Sequence, residues 1–127
     1  MTLLDDLFRE NILDHSQHPR YRGLLDPADI DHEVNNPLCG DWLHLTLRIA
    51  ADERIAAVGW DGDGCAISQA SASMLGEILL GMSVEEARTL TKEMVFDLIG
   101  IALTPNRMKC ALLSLEAVKV GLHGRGA

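Results

Sequence analysis

Residues Trp42 to Ile49 alternate without a break: Leu43, Leu45, Leu47 and Ile49 are aliphatic, and Trp42, His44, Thr46 and Arg48 stand between them. A period of two puts the aliphatic side chains on one face of an extended segment, the pattern of a half-buried strand. Such a strand needs cover on that face alone. Arg54 to Trp60 reads as its antiparallel neighbour, joined through the polar turn near Asp52-Glu53. Ile30 to Asn35 reads as a short edge strand that ends at Asn36-Pro37.

The cover comes from segments with helical periodicity. Leu4, Leu7, Phe8, Ile12 and Leu13 predict a helix from Leu3 to His15, which must stop before Pro19 because proline disfavours helical backbone just ahead of it. Tyr21 to Asp29, with Gly23 and Pro27, reads as loop. From Cys65 onward the period changes to helical, with Ile67, Ala70, Met74, Leu75, Ile78 and Leu79 in one stripe and Gly81 as the stop. Ser83-Val84-Glu85-Glu86 fits a capping box, predicting a short helix to about Leu90, and Lys92 to Ile101 reads as another. Pro105 opens a last helix whose core stripe is Met108, Ala111, Leu112, Leu115, Val118 and Leu122, and the glycines from Gly121 on end it. The expected fold is α+β: a small antiparallel sheet of about three strands, packed on one face against several helices.

A chain of 127 residues, 47% hydrophobic, supports one core, so residues 1–127 are expected to form a single domain. No apolar run approaches the ~20 residues needed to span a bilayer. The opening Leu3-Leu4-Asp5-Asp6-Leu7-Phe8 is acidic and amphipathic, unlike a signal peptide, so the expected compartment is the cytoplasm. The net charge is −8, from 19 acidic and 11 basic residues, and the basic residues form no cluster. Nucleic acid is therefore a poor partner, and a protein with a basic patch a better one.

The chemistry concentrates in three cysteines and an aspartate. Cys39 and Asp41 flank Gly40, so on extended backbone both side chains project to the same side. Cys65 follows Asp61-Gly62-Asp63-Gly64 and begins a helix; Cys110 follows Pro105 and Asn106 near the start of another. Helix N-termini carry partial positive charge, which lowers thiol pKa and favours the thiolate that binds metals and attacks sulfur. Three thiolates and one carboxylate make a complete tetrahedral zinc shell, and free thiols suit a reducing compartment. The bland alternative for Cys110 is a small buried hydrophobe.

Other polar residues point elsewhere. Asp61-Gly62-Asp63-Gly64 superficially matches a calcium loop, but the twelfth position counted from Asp61 is Ala72, which supplies no ligand, and the run reads as a glycine-rich turn presenting Cys65. His15, His18, His32 and His44 form no ligand pair and read as surface or capping residues. Trp42 and Trp60 read as cover for the sheet. Arg107 and Lys109 read as auxiliary cations near Cys110, or as solvated helix residues.

Asn36-Pro37-Leu38-Cys39-Gly40-Asp41, the run from Gly62 through Cys65 to Met74, and Arg107-Met108-Lys109-Cys110-Ala111 resemble the signature blocks of the U-type iron–sulfur cluster assembly proteins, the IscU and SufU branches. Ile12-Leu13-Asp14-His15, with Pro19-Arg20 and Gly23, resembles the family's opening block, and the similarity extends from about Leu3 to Leu122. The resemblance implies that Cys39, Asp41, Cys65 and Cys110 hold a metal or cluster, and that Cys39 accepts persulfide sulfur from a PLP-dependent cysteine desulfurase of the SufS or IscS kind. It implies Zn2+ at the site, with delivery of sulfur to a downstream scaffold or apo-protein, or else a transient [2Fe-2S] cluster built on the same ligands. A purely structural zinc is the reading of another class.

Three departures concern the branch. IscU proteins usually carry histidine before the third cysteine and a Leu-Pro-Pro-Val-Lys motif ahead of it; here Lys109 and Ile101-Ala102-Leu103-Thr104-Pro105 occupy those places, which favours SufU. SufU proteins usually carry an insertion between the second and third cysteines, and the 45-residue step from Cys65 to Cys110 has no room for it.

Overall fold

The computed structural model describes residues 3–37 and 40–123. The alternating segment is strand β2 (Asp41–Ile49), lying between β1 (Ile30–Asn36) and β3 (Ile55–Asp63) in an antiparallel sheet of order β1-β2-β3. Leu43, Leu45 and Leu47 are buried, as their period demands. Their register partners Val34 and Ile30 on β1, and Trp60 and Val58 on β3, complete an apolar face.

Five helices accompany the sheet: α1 (Leu3–Gln17), α2 (Ala66–Leu79), α3 (Val84–Arg88), α4 (Lys92–Ile99) and α5 (Pro105–His123). The core joins the sheet's apolar face to α2, through Ala70, Met74, Leu75 and Leu79, and to α5, through Ala111, Leu115, Val118 and Leu122. Each fully buried aliphatic side chain contributes about 1.5–3 kcal/mol. The expected α+β architecture and its three strands are present. The capping box forms as read: Ser83 Oγ accepts from the N–H of Glu86, and the Glu86 carboxylate accepts from the N–H of Ser83.

Several expectations need correction. β3 runs on to Asp63, so Asp61-Gly62-Asp63 is strand and not turn. Gly62 is there because a Cβ would lie 2.6 Å from the Trp42 carbonyl oxygen, closer than any side chain tolerates. α3 stops at Arg88, and α4 at Ile99, where Gly100 takes a left-handed cap with φ 74. α5 passes through Gly121 to His123. Leu7 and Leu13 are exposed, because α1 turns Phe8, Ile12 and His15 inward at steps of four and three residues and leaves the other two on its flanks. Met108 of the predicted α5 stripe is exposed as well.

His15, expected at the surface, is buried between α1 and α2. Its Nδ1 lies 2.7 Å from Ser73 Oγ and its Nε2 lies 3.3 Å from a Glu77 carboxylate oxygen. The loop after α1 is pinned nearby: Trp60 Nε1 donates to the Arg20 carbonyl at 2.8 Å, and the Gly23 N–H donates to the Trp60 carbonyl at 2.7 Å. Trp60 thus belongs to the core face, whereas Trp42 sits half-buried on the opposite face of the sheet. No helix among the described residues is long and apolar enough to cross a membrane.

Candidate metal centre

Three elements converge at one end of the sheet. Asp41 is the first residue of β2, and its parity with Leu43 and Leu45 turns it toward the helices, where it is buried. Gly40 precedes it with φ +74, and the Gly40 N–H donates to the Asn36 carbonyl at 2.9 Å, closing the end of β1 onto the start of β2. Cys39 lies outside the described residues. Cys65 is the N-cap of α2 with extended backbone, and its side chain makes no capping bond. A serine or aspartate here would spend its oxygen on the helix N–H groups; cysteine leaves the sulfur available. Cys110 lies in the second turn of α5, and it is buried.

The donor atoms of Asp41, Cys65 and Cys110 all lie within 4.8 Å of one another. Asp41 Oδ2 is buried with no hydrogen-bond partner among the described residues, which is costly unless something binds it. Space for the carboxylate comes from Gly64: a Cβ there would stand 2.8 Å from Asp41 Cγ and 2.4 Å from Ser68 Oγ. Ser68 in turn donates to the Cys65 carbonyl at 2.9 Å, fixing the first turn of α2.

The two thiols are driven apart electrostatically. Burial pushes Cys65 up, but hydrogen bonds from the Ser68 backbone, Cys110, the Ile67 backbone and Arg107 outweigh it, and its pKa falls below the ordinary thiol value. Cys110 is pushed far up, first by burial, then by the Asp41 carboxylate and the Cys65 thiol beside it. The expectation that a helix start would lower both thiols therefore holds for Cys65 alone. Cys110 is one turn too deep in its helix, next to two anionic neighbours.

Of the auxiliary cations, Arg107 is the one placed to act on the centre: the Cys65 thiol, with the charges of Cys110 and Asp41, holds its pKa above the ordinary value. Lys109 lines a separate groove with Asn35, Asn36, Leu112, Leu113 and Glu116. Gly64 and Ser68 shape the site, and sequence reasoning did not single them out; nothing in the sequence distinguishes Gly64 from Gly62.

The donor set fits a metal. Two soft sulfurs and one carboxylate, one of whose oxygens is buried without a hydrogen-bond partner among the described residues, form a donor set that zinc accepts, with one position left for a fourth ligand.

Comparison with known proteins points the same way. The family described as the NifU-like N-terminal domain matches residues 7–124. The zinc-dependent sulfurtransferase SufU of Bacillus subtilis is 35% identical, over 94% of this chain and 91% of that protein. The iron–sulfur cluster assembly scaffold protein IscU of Streptococcus pyogenes is also 35% identical, over 94% and 84%. A crystal structure assigned as an assembly scaffold of the SUF system from Fervidobacterium islandicum superposes with a TM-score of 0.78 at 26% identity, covering 89% of this chain and 94% of that one.

Proposed function

Because the chain belongs to the NifU-like N-terminal domain family, with relatives in both the SufU and IscU branches, we propose that it serves iron–sulfur cluster assembly by accepting sulfur at Cys39 and relaying it. The observation that carries this reading is the convergence of Asp41, Cys65 and Cys110 around an unpartnered carboxylate oxygen. Cys39, two residues before Asp41, is the fourth member of the set and the sulfur acceptor. We assign the protein to the cytoplasm as a single domain, acting with a PLP-dependent cysteine desulfurase.

The transfer is a thiol–persulfide exchange. The Cys39 thiolate attacks the outer sulfur of the desulfurase persulfide; a new S–S bond forms on Cys39, the old one breaks, and the desulfurase cysteine leaves as thiolate. No net oxidation or reduction occurs. A bound Zn2+ supplies the positive charge that keeps such thiols deprotonated near neutral pH. Asp41, Cys65 and Cys110 hold the site while Cys39 is engaged elsewhere, and Arg107 keeps negative charge on Cys65. The persulfide then passes to a downstream scaffold or apo-protein.

A second reading, a scaffold carrying a transient [2Fe-2S] cluster on the same residues, is favoured by the mixed donor set. A hard oxygen among soft sulfurs suits cargo that must be released. Metal analysis combined with persulfide transfer from a cysteine desulfurase, comparing wild type with Cys39→Ser, tests the proposal. The expected result is about one zinc per chain and transfer lost in the variant. Transfer unchanged in Cys39→Ser would leave only a structural zinc, and a stable chromophore after anaerobic reconstitution with iron and sulfide would favour the scaffold.

A further inference from the structure

The face of the sheet turned away from the helices carries a feature that the thiols do not explain. Trp42 lies on it half-buried, with Asp63 directly across on β3 and Asn35 directly across on β1. In the next row Asp61 and Glu33 flank His44 and so stand diagonal to the indole. Directly opposed and diagonal neighbours on one face are within reach of an aromatic side chain. The ring is therefore framed by three carboxylates.

The other charges on this face are already engaged. Asp31 is bonded to His44, Arg22 to Asp61, Gln69 and the Gly62 carbonyl, and Arg48 to the Pro27 carbonyl. Among the described residues, no cation pairs with Glu33 or Asp63. On the neighbouring strand the fold itself shows how such a site is filled: the Arg22 guanidinium lies 5.3 Å from the centroid of Trp60 and 3.3 Å from Asp61.

We propose that Trp42, with Glu33 and Asp63, forms an anchor for an arginine side chain of a basic protein partner. A guanidinium is planar and weakly hydrated, so it can stack on the indole while its N–H groups reach the carboxylates; a compact ammonium does this less well. A half-exposed tryptophan ringed by charge has the make-up of an interface anchor. A net charge of −8 adds long-range attraction for a basic surface. The proposal is independent of the sulfur-transfer reading, since the anchor is on the face opposite Asp41.

The test is a 15N NMR titration of the whole chain with N-acetyl-arginine amide, reading the two tryptophan indole N–H signals. The Trp42 signal is expected to shift saturably while that of Trp60 stays put. Glu33→Gln and Asp63→Asn should each weaken binding about threefold, and N-acetyl-lysine amide should bind at least about threefold more weakly than the arginine probe. Glu85→Gln, on α3, should leave the titration unchanged. Trp42→Ala should abolish binding, and the two carboxylate variants keep the test decisive if that protein misfolds. No saturable shift, or an equal shift with N-acetyl-glutamine amide, overturns the proposal. A Trp42 signal that moves with protein concentration alone also overturns it, by assigning the face to a second copy of the chain.

Discussion

His15 on α1 and Ser73 on α2 share a 2.7 Å hydrogen bond that joins the two helices. Ser73 Oγ also accepts the Arg20 backbone N–H at 2.8 Å, which ties the loop after α1 to the same pair. The other ring nitrogen, Nε2, faces the Glu77 carboxylate at 3.3 Å. Burial, with the Arg20 charge, holds His15 below its ordinary value of 6.5, against the pull of Glu77 and Asp14.

The first prediction follows from that depression. Between the folded and unfolded pKa values the unfolded chain binds the proton that the folded chain rejects. The contribution of His15 is thus complete above about pH 6.5 and is lost as pH falls toward its folded value. Denaturant midpoints measured at about pH 7.5 and about pH 5.5 should converge for His15→Gln relative to wild type. Parallel losses in the two proteins would remove His15 as the cause.

Zinc should stabilise the wild type strongly. A ligand that binds only the folded state at 100 times its Kd adds about 2.7 kcal/mol. Thermal unfolding with zinc and then with excess chelator should show this difference in wild type and lose most of it in Cys65→Ser and Cys110→Ser. Unchanged zinc dependence in both variants would place the metal elsewhere.

Gly64→Ala isolates the space behind the carboxylate. The new methyl would crowd Asp41 Cγ at 2.8 Å and Ser68 Oγ at 2.4 Å. Zinc affinity should fall about tenfold or more, a coupling of roughly 1.4 kcal/mol, while circular dichroism of the metal-free protein stays near that of wild type.

Asp41→Ala should lengthen the lifetime of any reconstituted cluster, because the hard oxygen donor is the weak member of a sulfur-rich set. The decay of the visible absorbance of the cluster measures this directly. Faster decay in the variant would show that the carboxylate retains the cluster.

Ser83→Ala removes one half of the capping box on α3 and should cost about 1 kcal/mol of stability with no effect on zinc affinity. A change in zinc affinity would reveal coupling between α3 and the metal centre.

The sequence was most legible where periodicity and capping were strong. The alternation of β2, the capping box at Ser83 and the proline start of α5 all stand as read. It misled where one residue type serves two purposes. Gly62 and Gly64 read as turn, yet Gly62 is strand backbone passing close to Trp42 and Gly64 is clearance for Asp41. His15 read as surface because a lone histidine gives no hint of a serine 58 residues further on. For the candidate metal centre, the sequence grouped Asp41, Cys65 and Cys110 as one set, and their convergence at one end of the sheet was visible only in the fold. The unequal fate of the two thiols depends on burial, which local sequence does not encode.

Asp41 comes from the second strand, Cys65 from the start of the second helix and Cys110 from the last helix. A chain emerging from the ribosome can therefore assemble the three only after α5 has been synthesised and has docked on the sheet. Until then an ion finds isolated thiols with no shared geometry. If an ion binds there as proposed, its occupancy would double as a completion signal: chains cut short before α5, or stalled ahead of its docking, should stay metal-free.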